Sequence, residues 1–203
     1  FESCASGGGR FDPGMLYYMP QTWTSDDSDA AERLRIQYGT SIVYPYSSMG
    51  AHVSAVPNHQ IGRITSFEMR CDVALPGQFG FELDLNKCTD HELEIAKKKV
   101  REYRELQEVF HKGDCYRLKS PFETDLSAVE FVSEDKKTAV VCISSYKAMA
   151  YSPDEFIKPQ GLCENATYRI GENSYDGKYL MNYGIVFRND RENKSEIIVM
   201  RAE

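Results

Sequence analysis

Gln21-Thr22-Trp23-Thr24-Ser25-Asp26-Asp27-Ser28-Asp29, continuing as Ala30-Ala31-Glu32-Arg33-Leu34-Arg35-Ile36-Gln37-Tyr38, is the stretch on which the fold turns. Gln21–Ser25 reads as a short strand. The acidic run Asp26-Asp27-Ser28-Asp29 offers side-chain oxygens that can cap a helix, and Ala30–Tyr38 is compatible with one. Strand, acidic cap and helix make one βα unit.

The same unit recurs on either side. Phe1–Ala5 reads as a strand ending in the turn Gly7-Gly8-Gly9, and Ala51–Val56 as a strand closed by Pro57-Asn58. A helical stretch, Thr65–Ala74, leads to a strand over Phe79–Leu85. The long helix Thr89–Lys112 is bounded by a capping box, Thr89 with Glu92, and by Gly113 as a stop. Its apolar stripe runs Leu93, Ala96, Val100, Tyr103, Leu106 and Phe110. Glu94–Lys98 and Arg104–Glu108 are spaced as i,i+4 pairs on a solvated outer face. Strand–helix alternation through Lys112 predicts a parallel sheet. Four βα units are too few for a (β/α)₈ barrel, which takes about 250 residues. The first strand would leave an open edge, so this part is expected to be the C-terminal half of a (β/α)₈ TIM barrel. Glu2-Ser3-Cys4-Ala5 accordingly reads as the interior of something larger.

After Gly113 the pattern becomes all-β. Cys115–Leu118 is strand-like, and Ala128–Ser133 and Thr138–Ser144 flank Glu134-Asp135-Lys136-Lys137 as a hairpin. Tyr168–Ile170 and Ile197–Met200 are later strands. The expected fold class is α/β plus all-β. The expected domains are residues 1–113, the barrel half, and 114–203, an antiparallel β-sandwich-like domain.

The chain has 203 residues, 24 Lys and Arg against 31 Asp and Glu, a net charge of −7, and is 41% hydrophobic. That balance suits a globular protein and excludes a disordered one. The acidic excess, with no dense basic stripe, argues against a nucleic-acid partner. Apolar runs fall far short of the roughly 20 residues that span a bilayer, so no membrane role is expected. None of Cys4, Cys71, Cys88, Cys115, Cys142 and Cys163 forms a Cys-x-x-Cys pair, so neither a zinc site nor a thioredoxin-like motif is expected. Reduced thiols, and with them a cytoplasmic location, are the simpler expectation. No cofactor is implied.

In a parallel barrel the chemistry belongs to the loops that follow the strands. Three fall here: Cys4–Arg10, Trp23–Asp29 and the stretch from Met49 to Asn58. The glycine turn lets backbone approach a ligand closely, or is simply a turn. Trp23 followed by carboxylates suits a sugar site: the indole covers an apolar sugar face and a carboxyl protonates a leaving oxygen. The alternative is that Asp26, Asp27 and Asp29 only cap a helix, a task that needs just Asp27 or Ser28. His52 and His59 bracket Pro57-Asn58, with no third ligand spaced for a metal. Cys4 has no nearby histidine to activate it as a nucleophile.

The run from Cys4 to Asp29 closely resembles the bacterial α-galactosidases of glycoside hydrolase family 36. So does Gln37–Ser41 with Ser48–His59, and Gly113–Leu118, Asp176-Gly177 and Leu180–Gly184 are similar to that family's C-terminal β domain. The family's commoner aromatic is replaced by Cys115. The resemblance implies retaining hydrolysis of terminal α-galactosides such as melibiose and raffinose, in an enzyme that often forms homo-tetramers. It implies that Asp26 is the general acid/base, with Asp27 the alternative, and that Cys4, Gly7 and Trp23 line the galactose pocket. The family's nucleophile sits in a Lys-Trp-Asp segment, which these 203 residues lack, so the chain by itself is expected to be an inactive fragment. Two other roles fit the same residues: a non-catalytic sugar-binding or structural fragment, and galactosyl transfer.

Overall fold

The computed structural model describes residues 1–4 and 11–203. The chain forms two compact units, Phe1–Gln107 and Glu108–Glu203. In the first, β1 (Glu2–Ser3), α1 (Pro13–Tyr18), β2 (Gln21–Trp23), α2 (Ala30–Ser41), β3 (Met49–Ser54), α3 (Phe67–Ala74) and β4 (Gln78–Glu82) alternate. They are followed by α4 (Asp90–Lys112), which runs on into the second unit. The four strands form one sheet in sequential order, every neighbouring pair parallel.

The two faces of this sheet differ in chemistry because side chains alternate along a strand. On β3, Ala51 and Val53 are fully buried and pack with Phe79 and Phe81 of β4 against Phe67, Cys71 and Ala74 of α3 and Ala96 of α4. Burying a valine of this kind contributes about 1.5–3 kcal/mol. The other face carries Glu2, Gln21, Trp23, Gly50, His52, Ser54, Gln78, Gly80 and Glu82. These residues are paired across the register as Glu2 with Gln21, Trp23 with Gly50, His52 with Gly80 and Ser54 with Glu82. A polar face on a parallel sheet departs from the apolar runs such strands usually show.

Local chemistry starts each helix. Asp12 caps α1 with Pro13 in its first turn, Asp29 caps α2, and Ser66 caps α3. The expected capping box of α4 is present: the Glu92 N–H donates to Thr89 Oγ1 (3.2 Å) and the Thr89 N–H to Glu92 Oε2 (2.9 Å). The outer-face pairs are shifted from the expected ones, with Glu94 holding Lys97 and Glu108 holding Lys112. Gly113 closes the helix where a Cβ would lie 2.5 Å from the Val109 carbonyl oxygen and 2.6 Å from that of Val132. Close approach, and not a left-handed turn, demands glycine there.

The second unit contains β5 (Asp114–Lys119), β6 (Leu126–Val132), β7 (Thr138–Ser145), β8 (Glu155–Ile157), β9 (Thr167–Ile170), β10 (Asn173–Asp176), α5 (Gly177–Tyr183), β11 (Ile185–Phe187) and β12 (Lys194–Ala202). One antiparallel sheet runs β10-β9-β12-β7-β6-β5, and β11 pairs with β8 separately. The expected hairpin is β6–β7. Its core gathers Leu126, Ala128, Val132, Val141, Ile143 and Tyr168. Glu130, fully buried, occupies the same row of β6 as Leu126, Ala128 and Val132. The short elements α1, α5, β8, β10 and β11 were not expected from the sequence, because each is too brief to show a period.

Candidate active site

The loop between β2 and α2 separates three aspartates into three environments. Asp29 is buried, accepts from the Glu32 N–H (3.0 Å) as the cap of α2, and is ion-paired with Arg63. Asp27 is half-buried and folds back so that its Oδ1 accepts from the Asp29 N–H (3.0 Å), while its own N–H donates to Ser25 Oγ (3.1 Å). Asp26, at the bend, is exposed and makes no hydrogen bond or ion pair among the described residues. The cap expected of Asp27 or Ser28 therefore falls to Asp29. The reason is geometric, since only the residue directly before Ala30 places its carboxyl over the first free amides of the helix.

Trp23 departs from the expected open plate. It is only 8% exposed. The His52 imidazole stacks on its indole at 4.6 Å, and the Arg33 guanidinium lies 4.6 Å from its ring centre. With both groups against it, little of the ring is left for a sugar to cover. Cys4, the residue after β1, is an exposed free thiol. Gly7, with the rest of the glycine turn, lies outside the described residues. His52 belongs to β3, half-buried, with Nε2 3.7 Å from Glu2 Oε2. Gln21 Nε2 donates to that same oxygen at 2.7 Å. His59 is exposed in the next loop, where Asn58 is the anchoring residue, its Oδ1 accepting from the Gln60 and Ile61 N–H groups.

Arg33 was not picked out from the sequence. It is 3% exposed, and burial pushes its pKa down to about 10 against the opposing pull of Asp27, Glu82 and Glu2, so it stays charged at neutral pH. Nothing in a helical sequence position distinguishes an arginine that will be buried from one that will be solvated. A cavity of about 10 Å³ beside Arg33, Gln37, His52 and Arg70 is far too small for a sugar. Among the described residues no group of His, Cys, Asp or Glu side chains could hold a metal ion. Among the described residues, too, no helix is long and apolar enough to cross a membrane.

A carboxyl with no partner among the described residues, in a loop after a parallel strand and beside a polar sheet face, is compatible with one half of a glycoside hydrolase's carboxyl pair. Residues 1–113 match the melibiase family, and residues 126–200 match the glycosyl hydrolase family 36 C-terminal domain. The chain belongs to glycoside hydrolase family 36. It is 52% identical over 186 residues to alpha-galactosidase AgaA of Geobacillus stearothermophilus, an overlap of 91% of this chain and 26% of that protein. It is 44% identical, again over 186 residues, to the bifunctional alpha-galactosidase/sucrose kinase AgaSK of Mediterraneibacter gnavus, covering 91% of this chain and 20% of AgaSK. The crystal structure of Geobacillus AgaA superposes with a TM-score of 0.97 at 48% identity, over all of this chain and 29% of AgaA. Variants of that enzyme have been crystallised with raffinose and with stachyose. The chain thus spans 20% to 29% of the length of these relatives.

Proposed function

We propose that this chain is the acid/base-bearing portion of a retaining α-galactosidase acting on raffinose- and melibiose-type oligosaccharides. Residues 1–113 are read as the second half of a (β/α)₈ barrel and 114–203 as an antiparallel β-sandwich-like domain. The sequential parallel order of β1 to β4 and their polar face support the first assignment. The six-stranded antiparallel sheet supports the second. The observation that carries the functional reading is that Asp26 has no partner among the described residues while the two aspartates after it, Asp27 and Asp29, are both engaged. Six free thiols suit the reducing cytoplasm. A homo-oligomer, as the family resemblance implies, is part of the same proposal.

In a retaining glycosidase two carboxyls stand about 5–5.5 Å apart. One attacks the anomeric carbon while the other gives its proton to the departing oxygen. The second then draws a proton from water as the glycosyl–enzyme ester is hydrolysed. Asp26 takes the proton-transfer role. The nucleophilic carboxylate comes from chain outside these residues, because Trp23 is the only tryptophan and Thr22, not lysine, precedes it. By the family resemblance, Cys4, Gly7 and Trp23 line the galactose pocket, and Cys4 directly follows β1.

Asp26→Ala in the full-length protein tests this. The kcat/KM for melibiose, which reports the step in which the leaving sugar needs a proton, is expected to fall about 10²–10⁴-fold. Aryl α-galactosides, whose leaving group departs as the anion, should lose far less in the glycosylation step. Equal loss on both substrates would count against Asp26 as the acid.

A further inference from the structure

We infer that Arg33 is the positioning residue for proton transfer, fixing from beneath the backbone on which the Asp26 carboxyl stands. The inference rests on the acid/base reading of Asp26. Arg33 Nη1 donates to the Ser25 carbonyl oxygen (3.3 Å) and Nη2 to that of Gly50 on β3 (2.9 Å). The Ser25 carbonyl and the Asp26 N–H share one planar peptide group that ends at the Asp26 Cα. Holding that oxygen therefore holds the acid's attachment point. On the other side, the Asp27 N–H is tied to Ser25 Oγ and Asp27 Oδ1 to the Asp29 N–H. Asp26 thus stands on a pinned backbone with a side chain that has no partner among the described residues.

The support beneath is equally specific. Arg33 Nε donates to Gln37 Oε1 (3.4 Å), and Gln37 Nε2 donates to the Val73 carbonyl of α3 (2.8 Å). Gly50 permits the close packing, since a Cβ there would meet Glu2 Oε2 at 2.6 Å and Trp23 Cε3 at 3.2 Å. The atoms that accept from Arg33, two carbonyls and an amide oxygen, are uncharged, and the carboxylates Asp27, Glu82 and Glu2 offset only part of the cost of burying the cation. A buried charge kept beside the reacting group is where function outweighs stability.

The test compares Arg33→Met, Arg33→Lys, Gln37→Met, Asp26→Ala and the double variant Asp26→Ala/Arg33→Met, all in the full-length protein. Displacing a reacting group by about 1 Å costs about 10²-fold, so Arg33→Met should lower kcat/KM for melibiose by that order. Aryl α-galactosides should lose less than about tenfold, repeating the leaving-group signature of Asp26→Ala. Arg33→Lys, which keeps the charge but cannot span both carbonyls, should recover part of the loss. The double variant should be no slower than Asp26→Ala alone, because both changes remove one function. Loss of equal size on both substrates, or a multiplicative double variant, overturns the inference. Should Arg33→Met not fold, Arg33→Lys and Gln37→Met read the same ratio, and an unchanged ratio in both overturns it. If Asp26→Ala shows the signature and the Arg33 variants do not, only the positioning role falls. If Asp26→Ala lacks the signature, the acid/base reading itself has failed.

Discussion

The imidazole of His52 stacks on the indole of Trp23 with the rings 18° from parallel, joining β3 to β2 across the polar face of the sheet. Aromatic pairs of this kind contribute about 0.5–1.5 kcal/mol beyond area burial. We predict that His52→Ala destabilises the first unit by that order, while His52→Phe retains the stack and most of the stability. Trp23 is the only tryptophan in these 203 residues, so its emission in this chain reports on the stack. Red-shifted emission and readier iodide quenching are expected for His52→Ala. An unchanged spectrum would mean that the stack does not shield the indole.

The neighbouring aspartates should separate stability from chemistry. Asp29→Ala removes a helix cap, worth about 1 kcal/mol, and strands its Arg63 partner, so the melting temperature should drop clearly. Asp26→Ala touches an exposed residue with no partner among the described residues, and its effect on unfolding should stay within about 0.5 kcal/mol. Thermal denaturation of the two variants in parallel checks this. A large destabilisation by Asp26→Ala would make it a structural residue.

Lys99, on α4, is buried between Asp72 (2.6 Å) and Glu102 (2.7 Å). Burial alone would lower its pKa, but the charges and hydrogen bonds of Asp72 and Glu102 outweigh that and raise it above the ordinary 10.5. Between 10.5 and the raised folded value the native state binds more protons than the unfolded state. The stabilisation is therefore complete below 10.5 and is lost as pH rises through the folded value. Lys99→Met should cost about 3–5 kcal/mol at neutral pH by leaving Asp72 buried without its cation. It should also flatten the alkaline limb of the stability–pH curve measured by urea unfolding.

Glu130 presents the opposite sign. It is 0% exposed, its Oε2 accepts from the Gln160 N–H at 2.7 Å, and its Oε1 has no hydrogen-bond partner among the described residues. Burial raises its pKa, against hydrogen bonds from Gln160 and Gly161 that lower it. The folded state thus binds the extra proton, and this residue's contribution to stability falls as pH rises from the ordinary 4.5 through the raised value. Glu130→Gln should match the wild type in acid and gain on it progressively toward neutrality. Glu130→Leu should lose about 1–3 kcal/mol in acid by orphaning the two backbone donors, a deficit that narrows as pH rises toward neutrality. A wild-type-minus-Gln difference that stays flat with pH would contradict the assignment.

Much of the frame was legible because it is written in local chemistry. Thr89 and Glu92 announce the start of α4, and the alternation of Ala51 and Val53 with His52 and Ser54 marks a strand with two unlike faces. The acidic run after Trp23 marks a helix start. A helix starting at Ala30, as expected, already places Asp29 at its cap, so Asp27 and Ser28 were the wrong choice for that task. The burial of Trp23 was hidden because its cover comes from other elements, His52 on β3 and Arg33 on α2. Glu130 and Lys99 lie in apolar and helical patterns that say nothing of the partners a fold will bring to them.

Trp23 and Asp29 are both fastened, one in a strand and one at a helix cap, and Thr24 to Ser28 cross a gap whose width neither end can alter. Contour length is then as much a determinant as residue identity. Deleting or inserting one residue within this bridge would leave each anchorage intact and every acidic side chain present, yet shift the carboxyl of Asp26 along the span. Substitutions in this segment can be absorbed one at a time, but a change in its length has nowhere to be accommodated.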